Sequence, residues 1–367
     1  MTETSVAVIG ENEYLAWLCN RKGLFRGGIK KLLRVFGSAE DVYRHRFDQV
    51  ETVLESDYYK KINWKMTVEE NMAELKRHGI VFLSQDSSDY PPVLAELADA
   101  PLGLFVRGRR EYLGREAVGI VGARLCSAYG RETAMRLGRQ LAESGLTVIS
   151  GMAAGIDRAA HVGALEGGGV TVAVLGCGLL RCYPNENRDI YQRLGQTACL
   201  LSEYPLDQEP YAFCFPERNR LIAALCRQLV IVEARGAKSG AMITVDRALE
   251  LGRDVYAVPG SIWSPLSRGV HNLINQGAML LEYPEQLLEE VKITVGKQRE
   301  HFTDSWNERE QKIWNGLGEE ALSLEELVRV TGLPLQEIQA GLFQLLLEEQ
   351  VMEVAKNHFV RHLRTGQ

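Results

Sequence analysis

The 367-residue sequence lacks the motifs by which common nucleotide enzymes and hydrolases are recognised. It has no Walker A motif, because Lys238-Ser239 lacks the preceding glycine frame, and no complete G-x-G-x-x-G, because Gly176-x-Gly178 is followed by Arg181. It also has no H-E-x-x-H, no G-x-S-x-G and no paired-carboxylate signature. These absences weigh against an ATPase, a dehydrogenase and a hydrolase, and we expect no enzyme activity, cofactor or metal.

Paired cysteines and long apolar runs are also missing. The seven cysteines form no C-x-x-C pair and are odd in number, which favours reduced thiols over a disulfide framework or a metal site. No apolar run approaches the roughly 20 residues of a membrane-spanning helix, and no signal peptide is recognisable. The sequence therefore predicts a cytosolic protein without membrane contact, and its length predicts two or three domains.

An excess of basic charge is absent too. The formal net charge of −6 argues against a surface that is basic throughout, but it leaves room for a local basic groove. Six arginines fall between residues 107 and 131, with Glu111 and Glu116 as the acidic residues among them. A solvated charged face explains this cluster equally well.

The stretch from Val148 to His161 predicts a strand, a tight turn and the start of a helix. An apolar run ends at Ser150-Gly151, and Gly155 precedes an alanine-rich segment at helical spacing. The N–H groups of a first helical turn attract anions, and glycine allows a phosphate to come close. The alternative is that Gly151 and Gly155 only let strand and helix pack closely. Asp157, on the first turn, is expected to cap the helix.

Similar strand ends recur along the chain. Gly122 and Gly176 end apolar runs on either side of this motif, and six such runs cover residues 117–122, 146–150, 170–175, 198–202, 228–233 and 254–258. Runs rich in Val, Ile and Leu, separated by helical segments, are typical of parallel strands buried on both faces. We predict a Rossmann-like, doubly wound, mostly parallel α/β sheet over residues 81–295.

Smaller domains are expected on both sides of this core. Residues 1–80 predict a helical domain in which Gly23 to Gly28 resembles a degenerate helix-hairpin-helix turn, so that DNA contact and a packing role both stay open. After a linker at 296–305, residues 306–367 have the helix, turn, helix and hairpin pattern of a winged helix. Residues 296–367 carry eight Lys or Arg and twelve Asp or Glu, and this charge favours a protein partner over duplex DNA.

Two further stretches contain candidate binding residues. Phe213 and Phe215 precede Arg218-Asn219-Arg220, and aromatic rings beside cations suit single-stranded nucleic acid, although both rings could equally belong to the core. Lys238-Ser239-Gly240 follows a strand and predicts a second anion site at a helix start, or a plain serine cap.

Together these motifs resemble the family of DNA-processing protein A (DprA, also called Smf). The resemblance covers about residues 90–290 and rests on these segments: Gly122-x-Arg124, Ser150-Gly151-x-Ala153-x-Gly155-Ile156-Asp157-x-x-Ala160-His161, Ala173-Val174-Leu175-Gly176-x-Gly178, Tyr183-Pro184-x-x-Asn187, Leu201-Ser202-Glu203-x-Pro205, Phe215-Pro216-x-Arg218-Asn219-Arg220-x-Ile222-Ala223, Val232-Glu233-Ala234, Ser239-Gly240 and Ala257-Val258-Pro259-Gly260.

The resemblance implies a protein that binds single-stranded DNA, loads the RecA recombinase onto incoming strands in natural transformation, and forms a homodimer through its core. The residues expected to bind DNA are Gly122, Arg124, Ser150, Gly151, Gly155, Phe213, Phe215, Arg218, Asn219, Arg220, Lys238, Ser239 and Gly240. The sequence departs from the family pattern at Ala123, where the family has Ser, and at Ala241, where it often has a hydroxyl.

Two other functions are compatible with parts of this pattern. A nucleotide phosphoribohydrolase shares the Rossmann-like fold, and Asp157 or Glu233 could act there as acid or base. The turn at residues 238–244 has no Glu in that family's register, however. A winged-helix transcription factor is disfavoured by the acidity of the tail.

Overall fold

Two compact units make up the chain, and they divide near residue 291. The structure is a computed structural model that describes residues 9–55, 59, 61–236, 239–290, 307–317, 321–347, 351–355 and 357–361. The predicted linker at 296–305 lies outside these residues, and the predicted boundary near residue 80 stays a prediction. In the described ranges, no helix is both long enough and apolar enough to cross a membrane.

The first unit begins with helices packed around a buried tryptophan. The helices are α1 to α5, at Glu11–Cys19, Arg26–Phe36, Ala39–Arg44, Val50–Leu54 and Val68–Arg77. The indole N–H of Trp17 donates to the carbonyl of Met66 at 2.8 Å, and the Tyr43 ring lies 4.9 Å away. The side chain of Asn20 accepts the N–H of Leu206 at 2.8 Å, so these helices are held directly against the sheet that follows.

A single mixed sheet forms the centre of this unit. Its described strands β1 to β9 are Ile80–Ser84, Gly103–Gly108, Ala117–Val121, Thr147–Ser150, Thr171–Val174, Cys199–Ser202, Gln228–Ile231, Asp254–Ala257 and Met279–Leu280. Their spatial order is β1-β2-β6-β5-β4-β3-β7-β8-β9. Only β1 with β2 and β2 with β6 pair antiparallel. The mostly parallel α/β sheet that the apolar runs predict is confirmed.

Helices cover both faces of the sheet. They are α6 to α13, at Pro92–Ala95, Ala128–Glu143, Ile156–Glu166, Arg188–Thr197, Cys214–Leu225, Gly240–Glu250, Arg268–Asn275 and Gln286–Glu290. Strands β3 to β7 are buried along their whole length, which explains why their sequences are almost continuously apolar. The strand order reverses at β3, which lies between β4 and β7. Doubly wound sheets bind ligands outside the carboxyl ends of their strands at such a point.

The second unit is a small winged helix, as predicted. Its described elements are α14, α15 and α16 at Glu308–Gly316, Leu324–Thr331 and Leu335–Leu347, with strands β10, β11 and β12 at Leu322–Ser323, Val351–Ala355 and His358–Arg361. Ser323 and Glu326 form a capping box at the start of α15. Ile313, Leu327, Ile338 and Leu345 are fully buried in its own core.

Candidate functional site

The turn between β4 and α8 is held by two buried side chains. Oδ2 of Asp157 accepts the backbone N–H groups of Gly151 at 3.2 Å and Ala153 at 3.3 Å. From the other side, Arg218 donates to the carbonyl oxygen of Gly151 at 2.7 Å and to that of Val174. Burial raises the pKa of the Asp157 carboxyl, and the charge of Arg218 opposes this rise. The predicted anion site at this helix start therefore already contains a carboxylate of the protein.

The glycines of these loops allow close packing. A Cβ atom on Gly155, where φ is +77°, would lie 2.3 Å from the carbonyl oxygen of Ala123, and one on Gly122 would lie 2.7 Å from the Ile156 side chain. The Ser150 hydroxyl is buried and donates to the carbonyl of Ile120 at 2.6 Å. In this arrangement Gly122, Ser150 and Gly155 shape the loops and present no polar side chain to a ligand.

Arg124 is exposed at the end of β3, directly beside an aromatic ring. Its guanidinium carbon lies 5.4 Å from the centroid of the Phe215 ring, and no carboxylate in the described chain forms an ion pair with it. The Phe215 ring packs against Gly176, where a Cβ atom would lie 2.7 Å from it. Tyr183, whose side chain is 40% exposed, lies with its ring 5.3 Å from that of Phe215. The result is a cation and two rings that solvent can reach.

A second aromatic group flanks the first. The Phe213 ring is 47% exposed, stacks on Tyr211 at 5.8 Å with an interplanar angle of 21°, and meets the edge of Phe25 at 5.5 Å. Phe213 and Phe215 both lie at the start of α10. We call the side chains of Arg124, Tyr183 and Phe213, which are exposed, and of Phe215, which is partly buried, the strand-end surface.

The three polar residues that follow these rings point into the protein. Arg218 is 4% exposed and Asn219 is 7% exposed. Arg220 is 6% exposed and forms ion pairs with Asp99 at 3.0 Å and with Glu203. The sequence places these residues beside the aromatic rings correctly, but the structure shows that their charges are used within the fold.

The helix start at α11 differs from that at α8. Ser239 occupies the N-cap position, yet its hydroxyl has no hydrogen-bond partner within the described ranges. Gly240 is exposed, and its carbonyl oxygen lies 3.4 Å from the side-chain nitrogen of Asn219. Lys238 lies outside the described residues. This helix start thus offers backbone N–H groups to an anion, whereas the Ser239 hydroxyl is buried.

The carboxylate of Glu233 occupies the crevice where the strand order reverses. It accepts the Ser127 N–H at 2.9 Å and the Ser127 hydroxyl at 2.5 Å, so it caps the start of α7. The described residues contain no group of three or more His, Cys, Asp or Glu that could bind a metal ion. All seven cysteines are described, and none forms a disulfide.

Sequence reasoning missed several residues that build this site. Tyr183 and Tyr211 supply exposed rings, and Asn187 fixes the β4–α8 turn by donating to the carbonyl of Met152 at 2.8 Å. Met152 is fully buried and has a positive φ of 60°, so the Asn187 amide satisfies a buried carbonyl in an unusual backbone conformation. The only available signal was the Tyr183-Pro184-x-x-Asn187 segment, whose geometry was not predictable.

Comparison with known proteins gives a consistent result. The profile of the family described as DNA recombination-mediator protein A matches residues 81–292, and that of the DprA winged helix domain matches residues 299–355. The chain is 44% identical to DNA processing protein DprA of Streptococcus pneumoniae over 201 residues, which are 55% of this chain and 71% of that protein. It is 35% identical to Protein Smf of Escherichia coli over 292 residues, which are 77% and 78% of the two chains.

Solved structures agree with the sequence comparison. The X-ray structure of DprA from Streptococcus pneumoniae covers 77% of this chain and 98% of its own, with 35% identity and a TM-score of 0.63. A structure of DNA processing protein A from Helicobacter pylori, described by its single-stranded DNA binding mode, covers 58% of this chain and 95% of its own chain, with 28% identity and a TM-score of 0.53. The resemblance seen in the sequence is confirmed, and the chain belongs to the DNA recombination-mediator protein A family.

Proposed function

We propose that this protein binds single-stranded DNA on the strand-end surface. The observation that carries the proposal is the exposed guanidinium of Arg124, which has no ion-pair partner among the described residues and lies beside the ring of Phe215. Phosphates are attracted to such a cation, and bare bases stack on exposed rings without regard to sequence. A relative whose structure is described by single-stranded DNA binding shares the fold.

The residues of the site divide into two groups in this proposal. Arg124, Phe213 and Phe215 contact DNA directly, Ser239 and Gly240 bind a phosphate at the start of α11, and Lys238 is expected to assist them. The buried and partly buried residues hold the loops in place: Gly122, Ser150, Gly151, Gly155, Asp157, Arg218, Asn219 and Arg220.

The biological role follows from the family. We propose that the protein protects incoming strands and loads the RecA recombinase onto them in natural transformation, and that it forms a homodimer through the Rossmann-like core. The unpaired cysteines suit the reducing cytosol, where such a reaction takes place.

Binding without turnover is part of the proposal. Both carboxylates of the phosphoribohydrolase alternative, Asp157 and Glu233, accept backbone N–H groups at loop turns and helix starts. Incubation with ATP, AMP and magnesium, followed by chromatography, should show no products. Turnover that disappears in Asp157→Asn would instead identify an enzyme.

The direct test compares DNA forms at matched salt. Fluorescence anisotropy should show tighter binding of a single-stranded oligonucleotide than of the blunt duplex, with little dependence on sequence. Phe213→Ala should weaken single-strand binding, whereas Phe343→Ala, which removes a 64% exposed ring from the winged helix, should not. Equal affinity for both DNA forms would contradict the proposal.

A further inference from the structure

Four large apolar side chains are exposed on the segments that follow β3 and β8. Trp263 and Ile262, in the loop after β8, are 87% and 76% exposed. Leu125 and Tyr129, after β3, are 78% and 53% exposed. The Tyr129 hydroxyl donates to the carbonyl of Pro259 at 2.9 Å, which joins the two segments. We call Leu125, Tyr129, Ile262 and Trp263 the tryptophan patch.

The loop that carries Trp263 is ordered by its own hydrogen bonds. Successive turns join Ser264 to Ser261 at 3.0 Å and Ser267 to Ser264 at 3.1 Å. The N–H of Ala234, just after β7, donates to the carbonyl of Leu266 at 2.8 Å. These hydrogen bonds hold the backbone that carries the exposed indole ring, and burial of that ring would be favourable. Large exposed apolar patches mark binding sites.

Exposed arginines lie close in sequence to the patch and to the segments that hold its loop. They are Arg124, Arg131, Arg235 and Arg268. Arg124 and Arg131 lie within two residues of a patch residue, Arg268 directly follows the hydrogen-bonded loop segment, and Arg235 follows the residue that donates to Leu266. In the described parts of the chain none of the four forms an ion pair. Residues 117–131 and 255–281 contain no Asp or Glu at all. Apolar side chains with positively charged arginines near them are complementary to an anionic ligand that has flat apolar faces.

We propose that the tryptophan patch is a second base-stacking platform, which extends the path of single-stranded DNA from Arg124 towards the loop after β8. The inference rests on the proposed function, and it adds Trp263 as a binding residue. Leu125 follows Arg124 directly, and β3 and β8 are separated only by β7, a distance of roughly 10 Å. A strand bound at Arg124 can therefore reach the patch.

A second copy of the chain fits the patch less well. Two copies that met through this surface would bring together two sets of arginines that form no ion pair in the described parts of the chain, and like charges at an interface are unfavourable. DNA phosphates neutralise the same arginines. The charge pattern therefore favours nucleic acid over self-association.

The experiment measures the affinity of the full chain for two lengths of oligothymidylate, one of about 6 and one of about 15 nucleotides, which lie near the two ends of the range of common single-strand site sizes. Trp263→Ala should weaken binding of the long oligonucleotide about fivefold or more, the scale of losing one stacked base, and leave the short one nearly unchanged. Leu249→Ala is the matched control, because Leu249 is 54% exposed at the far end of α11. With the wild-type chain, photo-crosslinking of a 5-iodouracil-substituted oligonucleotide should yield an adduct at Trp263.

The outcomes separate this inference from the proposed function. If Trp263→Ala binds both oligonucleotides with the same affinity as the control, and no adduct forms at Trp263, the tryptophan patch does not bind DNA. The proposal for the strand-end surface is not affected by this result. If the substitution changes the oligomeric state but not DNA affinity, the patch is an interface between copies, and the inference is overturned. If the wild-type chain binds neither oligonucleotide, both proposals fail.

Discussion

Arg218 donates from its guanidinium to the carbonyl oxygen of Gly151 at 2.7 Å, so a side chain of α10 fixes the turn between β4 and α8. Asp157 approaches the same glycine from the other side, and a Cβ atom there would lie 2.8 Å from both Arg218 and Asp157. The loop that positions Gly155 against Arg124 thus depends on a buried cation. Removal of that cation should affect the fold before it affects a ligand.

We expect Arg218→Met to lower the free energy of unfolding by about 2–5 kcal/mol, because two buried carbonyl oxygens lose their donor and the buried Asp157 loses its nearby positive charge. The same substitution at Arg227, which is exposed just after α10, should cost less than about 0.5 kcal/mol. Urea unfolding of both variants provides the measurement. Similar stabilities would show that the Arg218 contacts contribute little.

Arg124 should contribute more to DNA affinity than any other described cation. Arg124→Ala is expected to weaken single-strand binding by at least ~1.5 kcal/mol, on the scale of a charge-assisted hydrogen bond, and to flatten the salt dependence. Arg136→Ala is the control, because that arginine is exposed on α7 and already paired with Glu132 at 2.7 Å. Anisotropy titrations over a salt series test both variants. If a folded Arg124→Ala chain shows an unchanged salt dependence of binding, Arg124 does not contact the DNA.

Much of the sheet could be predicted from the sequence because its strands are buried on both faces. The six predicted apolar runs begin and end within two residues of β3 to β8. Strands β1 and β2 were missed, although Ile80–Ser84 and Gly103–Gly108 are also largely buried. They lie in a region interrupted by prolines and extend the sheet antiparallel, so no repeating strand–helix pattern marks them.

The site was harder to predict than the fold, because a residue type does not show where its side chain points. Arg218 and Arg220 flank Asn219 in one helix, yet Arg218 reaches Gly151 while Arg220 pairs with Asp99 and Glu203. Sequence reasoning could place these cations near the aromatic rings. It could not show that long-range partners bury them, because those partners lie in other elements.

His161 should make stability depend on pH. Its Nδ1 lies 2.8 Å from the Thr171 hydroxyl, which donates to the carbonyl of Val148, so Nδ1 carries the proton. Nε2 is buried and has no partner within the described ranges. Burial, helped by the charge of Arg218, lowers the pKa of His161 to about 3. The pKa of histidine in the unfolded chain is about 6.5. At pH values between about 3 and 6.5 the unfolded chain therefore binds a proton at His161 that the native chain does not bind, so the free energy of unfolding falls as the pH falls.

The expected loss from this one group is about 1.4 kcal/mol at pH 5.5, relative to pH well above 6.5. Urea unfolding of wild type and His161→Gln at pH 7.5 and pH 5.5 measures it, and the variant should lose less stability on acidification. Asp157, whose pKa burial raises, is present in both chains, so the comparison isolates His161. An identical pH dependence in His161→Gln would show that His161 accepts a proton in the native chain.

Removal of residues 296–367 should leave single-strand affinity nearly unchanged. That segment carries eight Lys or Arg against twelve Asp or Glu, and the exposed face of α16 presents Gln336, Glu337 and Gln339, which offer no cation to a phosphate. The exposed apolar residues of this unit, Val330, Leu335 and Phe343, are better suited to contact with another protein.

We expect the chain of residues 1–295 to bind single strands with an affinity within about threefold of that of the full chain and with the same salt slope, since the phosphate contacts lie in the core. Anisotropy titrations of both chains, with circular dichroism to verify the sheet, make the comparison. A tenfold or larger loss in a folded truncated chain would show that the winged helix holds DNA.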